Sequence, residues 1–301
     1  MKGNVITDYF LESKRNLERQ ENDALKFLYF FAIIDKKGSL FGKKNKGEVT
    51  FMRNIKLTIE YDGSRYTGWK RLEKGEGINT IESKLLNVIQ KMTNENAELF
   101  CGSRTEVGVH AYGQVVNFKT ESKRKLYEIK QYFNRYLPRD IAVIEAEEMP
   151  ERFHASLNAK SRTYLYRIAI GEVQSVFERK YTYYCFHDLD VEKMKAAAAL
   201  LIGRHDFKKF STVKKTKSTE KEIYSIDIYK DLSEIQITIT GNDFLHNMVR
   251  LMIGTLIDIG LGEREVSCIN AILDVKSKVE ASEPAQPQGM FLQEITYEVK
   301  A

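Results

Sequence analysis

"MRNIKLTIEYDG", residues 52–63, alternates without a break. Ile55, Leu57, Ile59 and Tyr61 fall on one side, and Lys56, Thr58 and Glu60 on the other. A period of two with a glycine at its end is the signature of a half-buried β-strand running into a turn. The next segment is helical in period. In "NTIESKLLNVIQKM", residues 79–92, Ile81, Leu85, Val88, Ile89 and Met92 form one apolar stripe, and Asn79 and Glu82 have capping-box spacing. "GQVVNFKT" predicts a second strand, and "KRKLYEIKQYFNRYL", closed by Pro138, a second helix. "DIAVIEAEEM" predicts a third strand.

The later half repeats the alternation of elements. "RTYLYRIAI" is strand-like, and "DVEKMKAAAALLIG" is a helix capped near Asp190 and stopped by Gly203. "IYSIDIY" and "EIQITIT" alternate on either side of "KDLS", a hairpin signal. "FLHNMVRLMIGTLIDIGLG", residues 244–262, predicts a strongly apolar helix, and "GMFLQEITYEV" a closing strand. His246, Arg250 and Asp258 interrupt the apolar run, so it is read as a core helix and not as a membrane span. Strands arriving both as hairpins and around helices predict an α+β fold with a mixed, largely antiparallel sheet.

Residues 1–51 differ in texture, being rich in Lys, Asn and Glu. "FGKKNKGEVTF" resembles a linker, and Met52 is expected to be the initiating residue, with a short helical extension as the alternative. The run "FLYFFAII" is far shorter than the ~20 residues a bilayer requires and has no small-residue cleavage site after it. Three well-separated cysteines, Cys101, Cys185 and Cys268, predict buried free thiols in a reducing compartment, hence a cytoplasmic protein.

No GxGxxG or GKT/GKS loop and no GxSxG elbow occurs, so neither a nucleotide cofactor nor a serine nucleophile is indicated. The histidines lack metal spacing, and His205-Asp206 in "GRHDF" is read as a turn at a helix end. No cofactor and no metal is expected. The formal charge of +5 permits a polyanionic partner. Basic and aromatic residues interleave in "SKRKLYEIKQYFNRYLPR" and "RHDFKKFSTVKKTKSTEK", as phosphate-contacting surfaces do, although a solvated helix face has the same look.

Three polar residues stand out against their settings. Glu106 lies beside Arg104 in a Gly-flanked turn, Arg250 projects from the apolar helix, and Tyr164 opens an alternating strand. Taken singly, each has a structural reading: a turn residue, an ion pair, a core ring. Together they offer a carboxylate, a cation to hold it ionised and a ring face for a base.

The stretches "EYDGSRYTGWKR", "NTIESKL", "RTEVGVHAYGQVVNF", "LPRDIAV", "FHASLNAKSRTYLYRI", "GRHDF", "FLHNMVRLMIGTL" and "QGMFL" occur in this order between residues 52 and 298. In that order and spacing the chain closely resembles the bacterial tRNA pseudouridine synthase A family. The resemblance implies a pseudouridine synthase fold of two similar α/β subdomains, residues 52–155 and 156–301, whose sheets meet at a basic cleft. It implies a homodimer that binds tRNA and, without a cofactor, isomerises uridine to pseudouridine in the anticodon stem-loop. By the same matching, Glu106 stands where the family has its catalytic Asp. Tyr164 matches the ring that stacks on the target base, and Arg250 the partner of the carboxylate. Arg104, His110, Gln114 and Arg162 are expected to bind substrate.

The chain departs from the family at Glu106, at Ser103 (usually Gly) and at Lys70 (usually Gln). The longer acid leaves two alternatives: an active synthase, or a catalytically impaired paralogue that binds or remodels tRNA.

Overall fold

A computed structural model describes residues 52–70, 79–212 and 218–297. The expectations for residues 1–51 lie outside these residues, as does part of the second basic-aromatic stretch.

The strands are β1 (Arg53–Tyr61), β2 (Leu99–Cys101), β3 (His110–Thr120), β4 (Ile141–Met149), β5 (Ser161–Ala169), β6 (Tyr183–Tyr184), β7 (Gly203–Asp206), β8 (Glu220–Lys230), β9 (Glu234–Gly241) and β10 (Met290–Thr296). The helices are α1 (Ile81–Thr93), α2 (Leu126–Tyr136), α3 (Val191–Ala199), α4 (Met248–Gly260) and α5 (Cys268–Leu273). The strands form one ten-stranded sheet in the order β4-β1-β3-β10-β5-β9-β8-β7, with β2 added to β3 and β6 to β5. Pairing is antiparallel except at β3–β10 and β5–β6. The α+β, largely antiparallel expectation is met.

Alternation set the buried face of β1: Ile55, Leu57 and Ile59 are fully buried and Tyr61 nearly so. Each such side chain contributes roughly 1.5–3 kcal/mol on leaving water, enough to fix register, because a one-residue slip exposes all of them. The whole predicted stripe of α1 is buried as well. Its cap lies one residue later than expected. Thr80 and Ser83 form the capping box, while the Asn79 amide donates to the Arg65 carbonyl.

β10, the last strand, joins the two halves. It runs parallel to β3, pairing Leu292 with Ala111, and antiparallel to β5, pairing Leu292 with Tyr164. Tyr164 therefore sits near the middle of the sheet, close to the strand that leaves the Glu106 turn. The described residues form one compact unit, and the boundary expected at 155/156 lies between β4 and β5 of one continuous sheet.

Three expectations need correction. The apolar helix starts at Met248, not Phe244, because Asn247 takes a left-handed backbone. His205 and Asp206 lie on strand β7, paired with Lys221 and Glu220, and not in a turn. Of the three free thiols only Cys185 is buried, and the other two are half-buried. Cys101 borders the cleft described below, where burial foremost pushes its thiol up to about 12, far from a reactive thiolate. No helix among the described residues is long and apolar enough to cross a membrane.

Candidate active site

The turn between β2 and β3 carries Glu106, and its backbone is held from all sides. The Gly102 N–H donates to the Val115 carbonyl (2.8 Å). The Gly102 carbonyl accepts from Arg162 Nε (3.0 Å). The Ser103 carbonyl accepts from Gln114 Nε2 (2.6 Å), and the Ser103 N–H donates to Gln114 Oε1 (3.3 Å). The Thr105 carbonyl accepts from the Trp69 N–H (3.0 Å), and its hydroxyl pairs with the Tyr61 hydroxyl (2.7 Å). A turn clasped this way cannot slide to suit the length of one side chain.

Gly68 makes the Trp69 contact possible. Its φ is +89°, and a Cβ there would lie 3.2 Å from the Thr105 carbonyl oxygen and 3.3 Å from Glu106 C and Val107 N. A side chain would meet an unfavourable backbone and push the turn. Gly68→Ala is expected to destabilise the fold by roughly 1–2 kcal/mol, the cost of holding an L-residue in the left-handed region. Thermal unfolding of the variant checks it.

The Glu106 carboxylate turns toward α4. Its Oε2 accepts from Arg250 Nη1 at 2.9 Å, and its Oε1 from the Asn247 backbone N–H at 2.7 Å. Arg250 is itself aimed by its Nε, which donates to the Ala285 carbonyl at 2.7 Å. Only a guanidinium carries donors in a fixed fork that serves a carbonyl and a carboxylate together. Both side chains are under one-fifth exposed, 17% for Arg250 and 18% for Glu106, so the pair is only weakly screened by solvent.

Tyr164 is buried, with its hydroxyl paired to Ser103 Oγ (2.7 Å) and its ring edge-on to Phe244. Burial foremost, with the Glu106 charge adding to it, holds the phenol well above its ordinary value. Ser103, a departure in sequence, thus has a definite partner.

A cleft of about 420 Å³ opens here, lined by Arg104, Glu106, Arg162, Tyr164, Phe244 and His246 among others. Arg104 is exposed at it, without a carboxylate partner among the described residues. Of the residues expected to act together, Glu106, Arg250 and Tyr164 are brought together, with Arg104 and Arg162 around them.

Gln114 and His110 are placed elsewhere. Gln114 is fully buried and braces Ser103. Arg162, though at the cleft, gives its guanidinium to the carbonyls of Gly102, Ser156 and Asn242. His110 is buried in a separate pocket, stacked on Phe291. Its Nδ1 accepts from the Gly63 N–H (3.0 Å), and its Nε2 donates to the Lys180 carbonyl (3.1 Å). Of these three residues only Arg162 lines the cleft; Gln114 braces the turn beside it and His110 lines the other pocket.

The His110 arrangement has a pH consequence. Burial foremost holds the imidazole below its ordinary 6.5, against the opposing pull of Asp62. Below 6.5 the unfolded chain therefore binds more protons than the folded one, and stability falls as pH drops. The thermal midpoint is expected to decrease from pH 7 to pH 5, and a His110→Gln variant to show a shallower decrease. Melting curves across that range decide it.

Over residues 57–158 and 197–298 the chain matches the tRNA pseudouridine synthase family. The chain belongs to that family. Its members are isomerases that act on tRNA. The tRNA pseudouridine synthase A 2 of Bacillus cereus is 43% identical over 247 residues, 82% of this chain and 100% of that one. The tRNA pseudouridine synthase A of a Bacillus species (strain KSM-64) is 43% identical over the same length. The Clostridium tetani tRNA pseudouridine synthase A 2 is 39% identical over 246 residues, 81% of this chain and 99% of that one. Among solved structures, the archaeal box H/ACA sRNP Nop10-Cbf5 complex aligns over 68% of this chain and 42% of that chain at 9% identity. Its TM-score of 0.31 is too low to carry weight.

Two further residues around Glu106 and Tyr164 were passed over in the sequence. Asn247 donates to Glu106, and Phe244 packs on Tyr164. The signal for Asn247 was present: Asn tolerates the left-handed region and sits at the start of an apolar helix. Three tyrosines of the first basic stretch lie on α2 with cations over their rings, Lys125 over Tyr127, Arg124 over Tyr132 and Arg135 over Tyr136, while Phe133 is core. Several cations of the second stretch are already engaged. Lys209 Nζ donates to the Asp274, Ser277 and Val279 carbonyls, and Lys221 pairs with Asp243.

Proposed function

We propose that this chain isomerises uridine to pseudouridine in the anticodon stem-loop of tRNA, with Glu106 as the nucleophile. The observation that carries the proposal is the Glu106 carboxylate, fixed by Arg250 Nη1 and the Asn247 N–H in the cleft that Tyr164 and Arg104 line. A stem base must first leave its stack, at a cost of a few kcal/mol. The cleft then takes the everted nucleotide, with the Tyr164 ring against the base and Arg104 near its phosphates.

A Glu106 oxygen attacks C1′ of the ribose, and the glycosidic electron pair leaves on N1 of the base. The base turns, C5 displaces the carboxylate from C1′, the C5 proton is lost and N1 gains one. Atoms and electrons balance without a redox partner. The protein is further proposed to act as a homodimer in the cytoplasm, on the sequence resemblance alone.

The extra methylene of Glu106 favours a second reading, a tRNA-binding protein with impaired catalysis. Incubating the protein with an unmodified tRNA transcript and quantifying pseudouridine separates the two. Product supports the synthase; none at stoichiometric protein, with binding intact, supports the binder.

Shortening the acid is informative. Asp has a reach shorter by about 1.5 Å, and the clasped turn cannot move to compensate. Glu106→Asp is therefore expected to react about tenfold or more slowly, since its oxygens fall short of Asn247 and Arg250. A faster variant means that the arm, and not its surroundings, limits the rate.

A further inference from the structure

We infer that Asn247 is a positioning residue for Glu106, gripping the carboxylate with both its backbone N–H and its side-chain amide. This inference rests on the synthase reading of the site.

Asn247 is one of two non-glycine residues with positive φ among the described residues, at φ 60° and ψ 5°. The left-handed region is disfavoured for L-residues, and it persists where surrounding contacts over-determine it. Here the contact is visible. The twist precedes the first residue of α4 and turns the Asn247 N–H onto Glu106 Oε1 at 2.7 Å.

The side-chain amide adds to this. A carboxylate only accepts, so an amide oxygen turned toward it is repelled, and the network assigns the nitrogen to that side. In that orientation Nδ2 donates to Oε2 at 2.7 Å and Oε1 at 2.9 Å, and the amide oxygen accepts from Thr212 Oγ1 at 3.1 Å. Thr212 has one proton and gives it to Asn247. The 2.7 Å contact between Thr212 Oγ1 and His246 Nδ1 then makes the imidazole Nδ1–H the donor. Protons thus point one way, from His246 to Thr212 to Asn247 to Glu106.

The grip answers how the longer acid is used. A glutamate has one more rotor to order than an aspartate. Asn247 and Arg250 fix it from two sides, on a turn that cannot adjust. The charged or titratable groups around the cleft are Arg250, Arg104, Arg162, His246, Asp243, Tyr164 and Cys101, and none of the other six duplicates the Arg250 hydrogen bond to the carboxylate.

Two variants test the role. Asn247→Gly keeps the left-handed backbone and its N–H but removes the amide. It is expected to lower kcat roughly tenfold, the effect of losing one hydrogen bond to a charged group, with KM unchanged. Asn247→Asp keeps the shape but sets a second carboxylate against the first. A loss of roughly 100-fold in kcat is expected, with the melting temperature and tRNA affinity near wild type.

Wild-type kcat in Asn247→Asp overturns the inference. So does a loss in both variants that tracks melting temperature, because a purely structural residue behaves that way. A readout without turnover keeps this apart from the function itself. In 15N-labelled protein, the Asn247 backbone and side-chain amide resonances are expected to move on Glu106→Gln, even where the wild type makes no product. Unmoved resonances also overturn it.

Discussion

Glu106→Gln is expected to lower the pseudouridylation rate on the order of 10⁴-fold or more, the scale seen when a covalent nucleophile is removed. Affinity for tRNA should stay within about twofold. The substitution keeps size and removes the charge that attacks carbon. It also places an NH₂ group where Arg250 Nη1 and the Asn247 N–H now meet oxygens, so the amide satisfies one donor and opposes the other. Affinity is expected to survive because phosphate contacts from Lys and Arg supply most of the affinity for a nucleic acid, and the substitution removes neither. Single-turnover pseudouridine assays beside filter binding at two salt concentrations measure both quantities. A residual rate within tenfold of wild type removes Glu106 from the chemistry. Binding that does not weaken with salt removes the cleft as a phosphate-binding site.

Arg250→Met is expected to cost between about 100- and 1,000-fold in kcat, the range found when one fixed donor to a reacting oxyanion is deleted. Methionine occupies similar space and preserves the packing of α4, so the loss isolates the guanidinium. The Glu106 carboxylate then keeps Asn247 but loses its counter-charge in a weakly screened setting, and the Ala285 carbonyl loses its donor. Lysine restores charge without the fork. One ammonium at that distance does not reach both Ala285 and Glu106, so Arg250→Lys should recover only part of the rate. Full recovery by lysine means that charge alone matters and the Ala285 contact is incidental. The close approach of that segment depends on Gly254, where a Cβ would lie 2.0 Å from the Glu283 carbonyl oxygen.

The candidate site is partly legible in the sequence. Glu106, Arg250 and Tyr164 were found by mismatch: polar groups in a turn, an apolar helix and an alternating strand. Such mismatches are visible in one dimension. Their convergence is not, because Glu106 and Arg250 come from opposite halves of the chain and meet only through the packing of α4 on the sheet. His110, Gln114 and Arg162 are expected to bind substrate by family resemblance alone, and of the three only Arg162 lines the cleft. Whether a polar side chain faces a cleft or a backbone carbonyl depends on orientation, which neighbours in sequence do not set. Asn247 was missed for a similar reason. A helix start was expected at Phe244, and the left-handed residue that displaces it is stabilised by a carboxylate distant in sequence.

By itself, the sequence determined the strands and helices with two-residue or 3.6-residue periods, the buried face of β1 and α1, and the absence of any nucleotide-loop motif. These are consequences of local sterics and of which side chains water rejects. Tertiary structure alone decided that the last strand would enter between β3 and β5, and that a clasped turn would present a long acid to a guanidinium and a left-handed asparagine. Those outcomes depend on hydrogen bonds between residues far apart along the chain, whose geometry exists only once the sheet has closed around them.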